Sequence, residues 1–161
     1  MRYFIRISIV LGTVFLYIGA GTKEIKLTEG IQPGNLAPEI HLQDVEIKEN
    51  SYVLVQFWAA YHPQSRLENT MMHNVISQSK TENLQLISIS LDENKAVFQG
   101  VIKTDRLDET TQFNEPAGKN SELFKRYRLK KGLNNWLIDS NGIIVTKNVS
   151  PTEILEKIPS Q

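Results

Sequence analysis

The chain has no cysteine. That absence removes disulfides, thiolate catalysis, Cys-ligated zinc, iron–sulfur clusters and lipoprotein-type acylation. It assigns no compartment, because a cysteine-free chain survives in oxidising and reducing surroundings alike. A charge of one sign is lacking too: 18 Lys and Arg balance 18 Asp and Glu. Nucleic acid is therefore not an expected partner, since its binders carry a basic excess. Histidine is scarce. His41, His62 and His73 show no zinc-type spacing, so no metal site is expected, and no cofactor either. Repeats, low-complexity tracts and internal linkers are also missing. What remains, 40% hydrophobic and 22% charged over 161 residues, is the composition of one globular domain.

The N-terminus stands apart. Arg2 and Arg6 precede an uncharged, mostly apolar run from Ile7 to Ala20. The run is shorter than the ~20 residues that span a bilayer comfortably, and it suits the apolar core of a secretory signal. Gly19, Ala20 and Gly21 offer small residues for cleavage, although Ile18 is a poor fit at the −3 position, so an uncleaved anchor is the other reading. The expectation is export, with residues 1–20 as signal peptide or membrane anchor, 21–33 as a lead-in and 34–161 as the domain. The membrane would be met only through that first segment. Its removal leaves 16 basic and 18 acidic residues, a formal charge of −2.

Within the domain, Gly30, Pro33, Gly34 and Pro38 mark a turn-rich lead-in, with Ile40, Leu42 and Val45 as core candidates on a short strand. Tyr52–Trp58 is nearly all apolar, rich in β-branched and aromatic residues, and reads as a strand buried on both faces. Pro63 suits the first turn of a helix running to about Gln78, with Leu67, Met71, Met72, Val75 and Ile76 at helical spacing. Leu84–Leu91 alternates as a second strand. Asp92–Lys103 reads as a helix with Ala96, Val97, Val101 and Ile102 near one face. Residues 104–119 read as loop with a short edge segment, and Asn120-Ser121 as a cap for a helix to about Tyr127. Trp136–Val145 reads as a hairpin turning at Asn141-Gly142, both at positive φ. Pro151 opens a final amphipathic helix with Ile154, Leu155 and Ile158 as its stripe. Strand–helix–strand plus hairpin gives one mixed sheet with helices on its faces.

That order, with several local matches, resembles the thioredoxin-like superfamily, in particular the exported TlpA/ResA-type thiol-disulfide oxidoreductases. Gly34, Ala37, Pro38, Ile40, Leu42 and Asp44 are similar to the family's lead-in. Val53–Ala59 is similar to the strand that delivers the active site. Arg66-Leu-Glu68-Asn69, Ile89–Asp92, then Gly118, Asn120 and Ser121, and finally Asn135–Asp139 with Gly142 follow in family order. The resemblance implies an α/β thioredoxin-like fold with a central mixed sheet between two helical layers.

The departures fall on the specialised positions. Where the family carries Trp-Cys-x-x-Cys, this chain reads Tyr61-His62-Pro63-Gln64-Ser65. His62 and Ser65 replace the attacking and resolving cysteines, and neither can form a mixed disulfide. The family's cis-proline aligns with Leu133, where a trans bond is expected because non-proline cis bonds cost ~2.5–4 kcal/mol. Its helix proline aligns with Thr70. No catalytic residue is therefore expected. The degenerate motif Tyr61–Arg66, with Trp58, Leu133, Asn134 and Asn135, is left as a groove for an envelope protein or peptide. Trp58 reads equally as core.

Two further readings attach to single residues. His62, Ser65 and Arg66 at a helix N-terminus suggest anion binding or non-thiol chemistry, against which stands a merely solvated helix start. A hydrolytic His–Ser pair lacks a group to orient its base. His73 reads as a surface histidine, and Met71 and Met72 as core. Lys125, Arg126, Arg128, Lys130 and Lys131 form the one basic run, which could meet anionic lipid or an acidic partner but more commonly is just solvated.

Overall fold

A computed structural model describes residues 27–42, 47–79 and 81–158. The expected signal or anchor segment, Asp44 and Val45 lie outside the described residues. The chain runs β1 (Tyr52–Trp58), α1 (Pro63–Ser79), β2 (Leu84–Ser90), α2 (Lys95–Asp105), β3 (Gln112–Asn114), α3 (Glu122–Arg126), β4 (Asn135–Ile138) and β5 (Ile144–Lys147). The five strands form one sheet in the order β3-β2-β1-β4-β5. β2 lies parallel to β1 and to β3, whereas β4 is antiparallel to β1 and to β5. The parallel pairs need crossovers, which α1 and α2 supply.

β1 is central, and every residue from Val53 to Trp58 is buried. Its side chains alternate between two cores. Val53, Val55 and Phe57 face a cluster with Tyr127, Leu129, Trp136 and Ile144 on the α3 side. Leu54 faces Met72 of α1, with Leu137 and Ile154. Trp58 packs with Phe98, Val101 and Ile102 of α2. The sheet therefore carries α1 and α2 on one face and α3 on the other, as the resemblance implies.

Several local expectations change. Of the stripe expected on α1, Met72 is buried, but Leu67 is 55% and Met71 is 44% exposed. The inward face is instead Ser65, Asn69 and Met72, because it covers a polar part of the sheet. α2 starts only at Lys95, where the Asn94 side chain accepts the Ala96 N–H. Its inward residues are Phe98, Val101 and Ile102, while Val97 is exposed. Ser121 alone caps α3, accepting from the Phe124 N–H. Among Asn141-Gly142 only the glycine has positive φ. The Asp139 carboxylate and carbonyl take the N–H groups of Asn141, Ile143 and Gly142, and β4–β5 carries a bulge beside the turn. This is a type I turn closed by a left-handed glycine, in which only one residue needs positive φ.

The final α-helix is absent. Pro151–Glu153 is turn and Ile154–Lys157 a short 3-10 segment. Ile154 and Ile158 are buried but Leu155 is 39% exposed, since eight residues fit no longer stripe. Among the described residues the lead-in forms no regular strand. Leu36 bridges Glu29 and Ile143, and the Trp136 indole donates to the Ile31 carbonyl at 3.1 Å. That contact ties residues ahead of 34 to the sheet.

Candidate functional site

The site lies where β1 ends and α1 begins. Strand β1 stops at Trp58, and the Leu91 N–H is held by the Trp58 carbonyl at 2.9 Å. Asp92, only 4% exposed, then reaches across: both its carboxylate oxygens accept from the Ala60 N–H, and Ser90 Oγ donates to Oδ2 at 2.7 Å. A buried carboxylate needs such donors to offset its desolvation. It thereby fixes the turn that presents Tyr61 and His62.

The His62 imidazole closes the helix on itself. Nδ1 accepts from the Ser65 N–H at 3.2 Å, and the His62 carbonyl takes the Arg66 N–H and the Ser65 hydroxyl. Pro63 brings no N–H. Of the donors a helix N-terminus would offer an anion, the Ser65 N–H is taken by His62 Nδ1 and the His62 N–H by the Ala59 carbonyl at 3.0 Å, leaving only that of Gln64 in the first turn. Ser65 is 1% exposed; its Oγ donates to a carbonyl and accepts the Ala59 N–H at 3.3 Å. Its hydroxyl bonds the His62 carbonyl and not the imidazole, and it is closed off from a substrate.

Arg66 is turned away. Its guanidinium grips Asp105 at the end of α2 through Nε and Nη2, with Nε–Oδ2 at 2.6 Å. That bond, more than any other factor, raises the Arg66 pKa. Gln64 donates to Glu68 at 2.8 Å. Tyr61 is the exposed member, at 52%, with Lys119 Nζ 4.9 Å from its ring centroid. Partial burial, then the charges of Asp92 and Glu93, push its pKa upward. Gly118, which sets Lys119 beside Tyr61, has φ +53, and a Cβ there would lie 2.9 Å from Glu93 Cγ.

Leu133–Asn135 lies beside the end of β1. The Asn134 carbonyl accepts from the Phe57 N–H at 3.1 Å, which docks Leu133–Asn134 on the end of β1. No peptide bond among the described residues is cis. Leu133 and Asn134 are half-buried. Asn135 is 6% exposed and serves the scaffold, exchanging two bonds with the Val149 backbone. Trp58 is fully buried beneath the site and forms no groove wall, because its face of β1 is covered by α2. Beside the wall, a cavity of about 320 Å³ opens between Glu68 and Met72 of α1 and Asn134, Asn135 and Asn148–Pro151.

Sequence reasoning missed a polar row under α1. Asn135, Gln56, Ser88 and Gln112 stand in register across four strands, each buried. Asn69 bridges two of them, donating to Gln112 Oε1 at 3.1 Å and accepting from Ser88 Oγ. Among the described residues Gln56 Oε1 and Trp58 Nε1 have no hydrogen-bond partner within the protein. The signal was present: Gln56 is the one amide in an apolar strand. His73 is likewise more than a surface residue, since its Nε2 accepts the Asp108 N–H at 3.1 Å and joins α1 to the loop before β3. Among the described residues no group of three or more His, Cys, Asp or Glu could hold a metal ion, and no helix is long and apolar enough to cross a membrane.

A parallel-and-antiparallel sheet with a strand-to-helix turn at its centre places the chain among the thioredoxin-like folds, here without any cysteine. The chain belongs to the AhpC/TSA family, whose model matches residues 19–147. It is 42% identical to a thioredoxin-like protein from Parabacteroides distasonis, with a TM-score of 0.77 over 81% of this chain and 97% of that one. It is 25% identical over 155 residues to the thiol-disulfide oxidoreductase ResA of Oceanobacillus iheyensis, covering 89% of this chain and 79% of that protein. A thiol-disulfide oxidoreductase from Bacteroides fragilis shares the fold, at a TM-score of 0.59 and 24% identity over 74% of this chain and 91% of its own. Having no thiol, this chain cannot carry out dithiol–disulfide exchange by itself.

Proposed function

We propose that the chain is a redox-inactive thioredoxin-like module of the bacterial cell envelope, exported through its N-terminal segment, that binds a protein or peptide. The binding surface is the degenerate groove between Tyr61–Arg66 and Leu133–Asn134, on the periplasmic side of the membrane. One observation carries this reading. His62 and Ser65 are consumed as internal caps and Arg66 as an ion pair with Asp105, while Tyr61 is exposed and Leu133 half-buried at the end of β1, where the Phe57 N–H holds the Asn134 carbonyl.

The test is affinity capture of the tagged chain from its native envelope after mild crosslinking, beside a Tyr61→Ala, Leu133→Ala strain. A partner enriched with the wild type and lost with the variant is the expected result. A partner bound with unchanged Kd by the variant would overturn the groove. Location is checked by protease accessibility in spheroplasts, where digestion of the intact chain from outside is expected.

A further inference from the structure

The segment 122–133 is two-sided. Leu123, Tyr127 and Leu129 are buried against the sheet, while Lys125, Arg128, Lys130 and Lys131 are exposed. Lys125 pairs with Glu122 at 2.7 Å and Arg126 with Glu29 at 2.8 Å. Arg128, Lys130 and Lys131 have no carboxylate partner among the described residues.

The location of this basic turn gives it meaning. Arg126 grips Glu29 and the Glu39 carbonyl, and Tyr127 donates to the Pro38 carbonyl at 2.8 Å. The turn is thus clamped against the lead-in, whose first described residue, Leu27, is 49% exposed. Only residues 21–26 separate that lead-in from the uncharged run Ile7–Ala20. Six extended residues reach about 20 Å at most. The sequence therefore tethers three unpaired cations close to wherever the apolar run resides.

We infer that Arg128, Lys130 and Lys131 form a contact surface for the anionic lipid headgroups of the membrane beside which the domain is held; this rests on the reading of the N-terminal segment as an export signal or anchor. Cations attract an anionic surface within a Debye length of about 8–10 Å. Without residues 1–20 the chain carries a formal charge of −2, so net charge supplies no attraction and the contact rests on this local cluster, which orients the domain. Leu133 follows Lys131 by two residues, so the same contact sets which way the groove faces relative to the bilayer.

The full chain, incorporated into vesicles of phosphatidylcholine alone or mixed with phosphatidylglycerol, is followed by hydrogen exchange. Exchange across residues 128–131 is expected to slow severalfold with phosphatidylglycerol only, and to recover at high salt and in Arg128→Asn, Lys130→Gln, Lys131→Gln. Strand β2 serves as the internal control that the variant is folded. Incorporation with identical exchange in both lipids overturns the inference and leaves anchoring standing. If the chain recovered from the envelope has lost residues 1–20, anchoring fails separately, and that form is floated with the same vesicles. Partition about 5-fold weaker per cation removed, on the order of 100-fold for all three, supports the surface. No phosphatidylglycerol-dependent flotation, or protection by polyglutamate in its place, overturns it in favour of an acidic protein partner.

Discussion

The two faces of β1 carry different kinds of core. Toward α3, Val53, Val55 and Phe57 meet Tyr127 and Trp136, and the three aromatic rings lie 4.9 to 5.9 Å apart by centroid. The only polar atoms of that trio are bonded: the Tyr127 hydroxyl to Pro38 and the Trp136 indole to Ile31. Toward α1, Leu54 is followed by Gln56 and then Trp58, each with an unpartnered buried atom. The apolar face is complete and holds the lead-in. The polar face lies under the helix that presents the site, and it retains groups whose hydrogen bonding is unfinished. Buried polar groups that lack partners are costly, so their presence marks where the frame was not shaped by stability alone.

Four substitutions break or sharpen that contrast. Phe57→Ala on the apolar face removes a fully buried ring and should cost about 3–5 kcal/mol in urea unfolding. Asn69→Leu on the polar face strands the Ser88 hydroxyl and the Gln112 carbonyl, for about 1–3 kcal/mol; a cost equal to that of Phe57→Ala would erase the difference between the faces. Tyr127→Phe loses one buried hydrogen bond, about 1 kcal/mol near neutral pH. Gln56→Met, which deletes an orphaned carbonyl oxygen, should leave the melting temperature unchanged or slightly higher. A loss above roughly 1 kcal/mol would mean that Gln56 is fully bonded in solution.

Alkaline pH separates the faces further. Burial raises the Tyr127 pKa above its ordinary 10.0. Tyr61 is raised too, by partial burial and then by Asp92 and Glu93. The folded protein holds both phenols protonated where the unfolded chain has begun to lose its protons. Their stabilisation is therefore complete below about pH 10 and is lost as pH climbs toward the folded values. Denaturant titrations above pH 10 should show stability falling, with a shallower fall in Tyr127→Phe and the remainder assigned to Tyr61.

Much of this was legible beforehand. β1, α1 and β2 were read within a residue or so, because their patterns are local: a continuous apolar run, a proline at a helix start, strict alternation. Tyr61–Arg66 and Leu133 stand out in the sequence only through the resemblance in motif order. The functional content of those residues was not legible. His62 acts as a helix cap, and Arg66 pairs with Asp105 39 residues away, neither of which a local pattern reveals. Leu67 and Met71 looked inward because hydrophobicity was counted without knowing that the sheet beneath was polar. The last helix was overread from three apolar residues, too few to sustain one without tertiary support.

The sequence by itself determined that no thiol chemistry occurs here, that the chain folds as one α/β domain, and that its specialised positions are altered while its strand and helix patterns persist. The first two properties follow from composition and from periodicities of two and 3.6 residues; the third is what the resemblance to the family's motif order implies. Only the tertiary structure decided that Arg66 faces away from the site, that Trp58 lies below it, that a polar row crosses four strands, and that three unpaired cations sit beside the lead-in. Each of these depends on which distant segments meet and in what register, and hydrogen bonds and ion pairs between such segments leave no periodic trace along the chain.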